Sequence, residues 1–371
     1  MQLGMFMQPV HDPARDYSEV LAQDRETVIL ADQLGFSECW IGEHISATTE
    51  PITSPLIFLA SLLQETSQIK LGTGVFCLAI KHPAVVAAEA ALFDHLAQGR
   101  FLMGIGPGGL SSDLELFGVQ GDNVDRGAMV QQSINTILGI WAGEPPYRIE
   151  GDYWNVAIED LSRLDDFGVG RIPGPYQKPH PPIGVSIMSP GSMSAYGAGK
   201  NGWIPISGSS LVHPRYVRSH WEKYVEGALA AGRPEPSPEI WRVCRSFMVT
   251  ESDAEAEDYI GNPDGPFRYY YRYMMSAFAQ RGAPWLNRPT GREEDDSVDW
   301  HDIARDMVAW GSPATVLDKL VWLRDEVGDF GTLTLTAHEW HDVETDRRSM
   351  RLLAEEVMPR FRQHMQALRA A

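Results

Sequence analysis

Short runs rich in β-branched and aromatic residues alternate along this chain with longer stretches whose apolar positions recur every three or four residues. Strands are predicted at residues 2–8, 38–43, 70–77, 101–106, 183–188, 202–206, 241–249 and 331–336, and each is followed by a helical pattern. In the first helix Val20, Leu21, Val28, Ala31 and Leu34 share about half the circumference at roughly 100° per residue, a face suited to packing on a sheet. In the fourth, Val130, Ile134, Ile137, Leu138 and Trp141 repeat the amphipathic spacing. Pro83 marks a first helical turn, Gly99 the stop of that helix, and Ser312-Pro313 an N-cap followed by proline.

Two stretches break the rhythm. Residues 142–182 carry Pro145-Pro146 and Tyr153-Trp154, and residues 251–311 hold Tyr269-Tyr270-Tyr271, Tyr273, Met274-Met275 and Trp285. Long aromatic insertions predict lids, and a subunit interface accounts for them nearly as well. The alternation itself builds either an open doubly wound sheet or a closed barrel. Eight units with no compositional break between halves favour one α/β domain, a (β/α)₈ TIM barrel with long insertions at its C-terminal face. In both architectures ligands sit beyond the carboxyl ends of the strands.

Composition narrows the partners. With 50 acidic against 31 basic side chains, a formal charge of -19, the surface repels nucleic acid and anionic membranes. The 43% hydrophobic content supplies a large core, no apolar run approaches spanning length, and the segment before His11 lacks the layout of a secretory signal. Cys39, Cys77 and Cys244 are too few and too scattered for a disulfide framework, so a reducing, cytoplasmic setting is expected.

Candidate chemistry clusters at the predicted strand ends. The second strand closes on Trp40-Ile41-Gly42-Glu43-His44, where an imidazole exchanges protons near neutral pH. Taken alone, a hydrogen-bonded structural histidine explains His44 better. Alternation turns Glu43 to the opposite face, as a structural partner rather than a base. The third strand carries Gly72-Thr73-Gly74-Val75-Phe76-Cys77, whose glycines admit either a flat ring or a crowded barrel wall. His82 reads as a helix-start residue. Gly104-Ile105-Gly106-Pro107-Gly108-Gly109 contains G-x-G-x-x-G, but a loop over residues 110–122 is predicted before the next helix. The segment therefore reads as a glycine floor for a cofactor rather than a dinucleotide fingerprint.

Ser189-Pro190-Gly191-Ser192-Met193-Ser194 leads into a helix, and hydroxyls with free N–H groups at a helix amino end suit a phosphate. An ordinary N-cap explains one of these serines and not three. In Thr332-Leu333-Thr334-Leu335-Thr336 the threonines point into the barrel and the leucines outward. His338, Glu339, His341 and Asp342 read as a polar rim; no other segment offers matching ligands, and no metal is expected.

In this order the segments resemble the bacterial luciferase-like flavin-dependent monooxygenases, from Met1-Gln2-Leu3-Gly4-Met5-Phe6 to Met358-Pro359. The likeness is most specific at Ile41 to His44, at Gly99 to Gly109 and at Ala198 to Ser207. The last two are similar to the branch containing diketocamphane and limonene monooxygenases. The resemblance implies a barrel, usually a homodimer, that takes up FMN already reduced by a separate NAD(P)H flavin reductase. It implies a catalytic role for His44 beside a flavin peroxide, and an often cis peptide at Gly74-Val75 against the ring. Gly106, Pro107 and Gly108 would contact the flavin, and Ser189, Gly191 and Ser192 its phosphate. Phe76, Tyr153, Trp203 and His338 would meet the substrate.

Two departures stand out: Ala79 replaces a frequent proline, and Pro107 replaces the luciferase arginine that helps hold phosphate. Anchoring would then rest on the serine turn, with Arg126 as a supplement. The activity implied is oxygenation of a medium-sized hydrophobic terpenoid or cyclic ketone by a C4a-peroxyflavin formed from O2. A deazaflavin-dependent oxidoreductase and a non-catalytic flavin-binding protein are the alternatives.

Overall fold

The structure, a computed structural model, describes residues 1–8, 10–121, 123–208 and 212–370. The strand pattern becomes a closed wall. Strands β1 (Gln2–Met7), β2 (Glu38–Ile41), β3 (Lys70–Thr73), β4 (Phe101–Gly106), β5 (Ile183–Ile187), β6 (Ile204–Ser207), β7 (Arg242–Val249) and β8 (Thr332–Ala337) pair in sequence order, all parallel. The ring closes where Gln2 to Met7 run beside Thr332 to Ala337. This is a (β/α)₈ barrel, and the open-sheet alternative falls.

Helices α1 (Tyr17–Gln33), α2 (Pro55–Ala60), α3 (Pro83–Leu96), α4 (Ser111–Leu116), α5 (Arg126–Ala142), α6 (Met193–Asn201) and α7 (Pro214–Ala230) precede β7. After it come α8 (Asp253–Ile260), α9 (Pro266–Gln280), α10 (Trp300–Met307), α11 (Pro313–Val327), α12 (Val343–Leu352) and α13 (Met358–Ala370). Val20, Val28 and Ala31 of α1 and Ile134 and Ile137 of α5 are buried as the periodicity predicts. Pro83 opens α3 behind an N-cap His82, and Gly99 turns the chain beyond its end at φ +83°. Ser312 is the N-cap residue of α11 with Pro313 following, although its side chain makes no cap bond; Asp253 accepts from the Ser312 N–H at 2.7 Å.

Side-chain volume dictates the barrel's interior. Trp40 is fully buried there with Phe6, Leu102, Ile204 and Ile206, and a Cβ on Gly72 or Gly184 would lie 2.7 or 2.8 Å from its ring. The Trp40 indole donates to Glu38 at 2.8 Å, and Arg242 clamps the same carboxylate at 2.9 and 2.8 Å. Leu333 and Leu335 pack outward in the main core while Thr332 and Thr334 are buried inside.

Several boundaries differ from expectation. The third strand is interrupted: Gly74-Val75 is a cis peptide, and pairing resumes only at Phe76–Cys77 beside β4. Gly202, expected in the sixth strand, instead ends α6 in the left-handed region at φ +69°. The loop expected over residues 110–122 holds α4 from Ser111; its last residue, Asp122, lies outside the described residues. The stretch 251–311 contains an unforeseen short strand, Val308–Gly311, paired with the outer half of β7.

The two insertions differ in placement. Residues 142–182 begin where α5 ends, at the amino side of the strands, and run along the outside of α5 and α3. There Gln132 donates to the Trp154 carbonyl at 2.7 Å, and Gln177 donates to Asp94 and to the Phe101 carbonyl at 2.8 and 2.9 Å. None of them lines the cavity described below. Residues 251–311 instead build a second core at the carboxyl ends, in which Phe267, Tyr270, Tyr271, Met274, Phe278 and Ile303 pack together. No helix among the described residues is long and apolar enough to cross a membrane, and Cys39, Cys77 and Cys244 are buried.

Candidate active site

At the carboxyl ends of the strands a cavity of roughly 340 Å³ opens under α9. Its histidine is delivered by chain geometry. β2 stops at Ile41, Gly42 donates to the Met7 carbonyl at 2.9 Å, and the His44 N–H donates to Ile52 at 3.2 Å, which fixes the ring at the mouth. Asp113 of α4 then receives His44 Nδ1 at 3.0 Å and the N–H groups of Ile45 and Ser46 at 3.1 and 2.7 Å. On the other side of the ring, Nε2 lies 3.4 Å from Glu50 Oε2 and 3.3 Å from the Gln8 amide.

These contacts set the charges. Burial alone works against an imidazolium at His44, but the Asp113 hydrogen bond and the charges of Glu50 and Asp113 outweigh it and raise the ring above its ordinary value. Burial likewise opposes the Asp113 carboxylate, yet the donors from His44 and Ser46 hold it down at about 2. The contacts around the ring thus favour the charged form of His44 beside Asp113, with the Nε2 edge on the side of Glu50 and Gln8. Glu43 also lines this cavity, contrary to the alternation argument, because β2 has ended before it. Its carboxylate, raised by burial, is paired with Lys81 at 2.6 Å, the structural partnership expected of it.

The opposite wall is the turn after β5. Ser192 caps α6, its Oγ accepting from the Ser194 N–H at 3.1 Å, so the ordinary N-cap is realised here. Ser189 and Ser194 line the cavity beside it. The Gly191 N–H donates away from the cavity, to Ser219 Oγ at 3.1 Å. Between the two walls run Gly74, Val75, Gly106, Pro107 and Gly108. A Cβ on Gly104 would strike the Thr73 carbonyl, and one on Gly106 the Val75 side chain, so close strand packing accounts for both.

The roof is one face of α9. Tyr273, Met274, Ala277, Phe278 and Arg281 recur at helical spacing along it and all line the cavity. Tyr273 donates to Glu50 Oε1 at 2.8 Å, and Arg281, just past the helix end, donates to the Gly109 carbonyl.

Eight of the expected residues thus meet at one cavity: His44, Gly74, Val75, Gly106, Pro107, Gly108, Ser189 and Ser192. Five others lie elsewhere. Phe76 is buried in the outer core, turned away from the mouth after the cis peptide. Trp203 precedes β6 and so sits at the opposite, amino end of the barrel. Tyr153 lies half-exposed outside α5, its N–H donating to Gln132 at 2.9 Å. Gly191 turns toward α7, as described. His338 is enclosed behind α9, with Ser246 Oγ at 2.7 Å and the rings of Phe267 and Tyr270 against it. Arg126 opens α5 and does not reach the cavity.

Sequence reasoning missed Asp113, Glu50, Gln8 and Arg281, and placed Tyr273 in an expected lid without giving it a contact. Asp113 belongs to α4, which starts at Ser111 directly behind the glycine-rich segment with Leu110, not a capping serine, as its N-cap residue. Glu339 pairs with Arg15 and Asp342 caps α12, so two members of the suspected rim have structural partners. Among the described residues no group of three or more His, Cys, Asp or Glu is arranged to hold a metal.

Residues 1–329 match the luciferase-like monooxygenase family. The chain belongs to that family. Over 97% of this luciferase-like chain, and 92% of the relative, it is 30% identical to 4-hydroxyprotoasukamycin monooxygenase of Streptomyces nodosus subsp. asukaensis. It is 26% identical to limonene 1,2-monooxygenase of Rhodococcus erythropolis, covering 97% of this chain and 87% of that one. A solved structure, the oxygenating constituent of 3,6-diketocamphane monooxygenase of Pseudomonas putida in complex with FMN, superposes with a TM-score of 0.85. It is 26% identical, over 97% of this chain and 98% of that one.

Proposed function

We propose that this chain is the oxygenase of a two-component system. It takes FMN already reduced by a separate NAD(P)H flavin reductase and uses O2 to oxygenate a medium-sized hydrophobic compound of the terpenoid or cyclic-ketone kind. The observation that carries this reading is a cavity bounded by His44 on one side and the Ser189 to Ser194 turn on the other, under the α9 roof.

The donors present fit FMN. Backbone lining the cavity at Gly74-Val75 and Gly106 to Gly108 lets a flat ring approach closely, and the serine hydroxyls with the amino end of α6 suit its phosphate. When bound, reduced FMN supplies the electrons and the activation of O2. The chain's residues do the rest. His44 keeps a proton on the edge facing the cavity, Asp113 holds the ring's orientation, and Met188, Met274 and Phe278 offer apolar surface to the substrate while excluding water. A relative described as an oxygenating constituent in complex with FMN supports both the cofactor and the separate reductase.

A second copy of the chain is proposed to cover Ile57 of α2 and Val85, Leu92 and Leu96 of α3, an exposed apolar stripe. Three buried cysteines, too few and too scattered for a disulfide framework, accord with a cytoplasmic setting.

The test combines purified protein, FMN, a flavin reductase and NADH with a panel of cyclic ketones and terpenes, read by mass spectrometry. Gain of one oxygen atom in a panel member is the expected result. Tight FMN binding without substrate-dependent oxygen consumption assigns a non-catalytic flavin carrier instead, and preferential binding of a deazaflavin assigns the other alternative.

A further inference from the structure

His44 stands between two carboxylates, and only one of them is fully engaged. Asp113 Oδ2 takes Nδ1 at 3.0 Å, and its other oxygen is occupied by Ile45 and Ser46. Glu50 is 5% exposed; its Oε1 accepts from the Tyr273 hydroxyl at 2.8 Å, while its Oε2 is buried without a hydrogen-bond partner and points at His44 Nε2 from 3.4 Å. Tyr273 belongs to α9, the roof, whereas Glu50 and His44 belong to the wall.

We propose that Glu50 is a second positioning residue for His44, and that Tyr273, reaching it from the roof helix, makes the charge on His44 depend on closure of α9. The proposal rests on the reading of His44 as the proton-bearing residue of this cavity.

The physical argument is one of placement. A carboxylate oxygen enclosed with no donor favours a positive neighbour, and the nearest candidate is the cavity-facing edge of His44. Among the charged groups of the described residues near the ring, only Glu50 faces this edge. Gln8, just past β1, is uncharged and shares Nε2 at 3.3 Å, Glu43 is compensated by Lys81, Asp113 of α4 acts on the opposite nitrogen, and Arg281, just past α9, is engaged with Gly109. Tyr273 keeps its proton, since burial and the charge of Glu50 push its hydroxyl far up, so it remains a donor. With α9 closed, that donor fixes Oε1 and aims Oε2 at the ring. With α9 lifted, Glu50 loses the restraint and gains water, and its hold on Nε2 weakens.

The test is a histidine NMR titration of the full chain without flavin, in wild type, Glu50→Gln, Tyr273→Phe and the double variant. Glu50→Gln lowers the His44 midpoint by about one pH unit, a tenfold loss of proton affinity. Tyr273→Phe lowers it in the same direction by less, and the double variant matches Glu50→Gln, because both act through one contact. An unchanged midpoint in Tyr273→Phe overturns the proposal, even if α9 amides exchange faster, since that combination marks a packing role alone. Fully additive shifts overturn it as well. Should Glu50→Gln fail to fold, Tyr273→Phe decides alone. Because no flavin is present, a failure of oxygen transfer in the preceding experiment leaves a distinct signature.

Discussion

Trp40 occupies the space that a side chain at Gly72 would need: a Cβ there would lie 2.7 Å from the indole ring. The ring is fully buried and hydrogen-bonded to Glu38, so it has nowhere to retreat. Gly72→Ala is expected to destabilise the chain by about 1–3 kcal/mol, the usual magnitude for overpacking. Denaturant unfolding measures it; a loss under ~0.5 kcal/mol would show that the barrel interior yields.

Beneath that ring Arg242 neutralises Glu38, which is 1% exposed. Arg242→Met strands a buried carboxylate and is expected to cost about 3–5 kcal/mol, whereas Arg242→Met with Glu38→Gln recovers much of it. Thermal unfolding of the single and double variants checks the pair.

His338 carries a pH signature. Burial holds its ring down at about 3, below the ordinary 6.5, so the fold keeps it neutral while the unfolded chain takes up a proton. Stability from this group is complete above pH 6.5 and is lost as the pH falls toward 3, at about 1.4 kcal/mol per unit. Urea melts between pH 6.5 and 4.5 should show a shallower loss in His338→Gln than in wild type. Parallel slopes would refute the assignment.

At the proposed phosphate end, the paired change Ser189→Ala and Ser192→Ala is expected to weaken FMN about tenfold and leave riboflavin nearly untouched. Fluorescence titration with both flavins checks this. Equal weakening would place the serines against the ring instead.

His44→Ala is expected to slow oxygen transfer by about 10²–10⁴-fold, the range for a positioned acid or base, with little change in flavin affinity. Single-turnover spectroscopy separates the two effects; unchanged turnover would remove His44 from the chemistry.

The barrel and the His44 and Ser189–Ser192 ends of its cavity were legible because strand ends and glycine or serine turns are written locally. The roof was not. Tyr273 and Glu50 lie far apart in sequence and meet only through tertiary packing, and α4 was hidden by a glycine-rich approach that reads as loop. Trp203 was misassigned because α6 runs to Gly202, which delays the strand and leaves the indole at the wrong end of the barrel. Residues 142–182 have the aromatic composition of a lid, but an insertion between a helix and the next strand starts at the floor.

The chain leaves the barrel along β7 and comes back beside it, Met248 facing Trp310 and Val249 facing Gly311. Everything between departs and re-enters through one parallel stem, and it carries an apolar cluster of its own. Such an arrangement behaves as a cassette. Its length and sequence can drift, or be exchanged by recombination, while the ring of strands below keeps its register, so the ceiling over the ligand can diversify faster than the ground it covers.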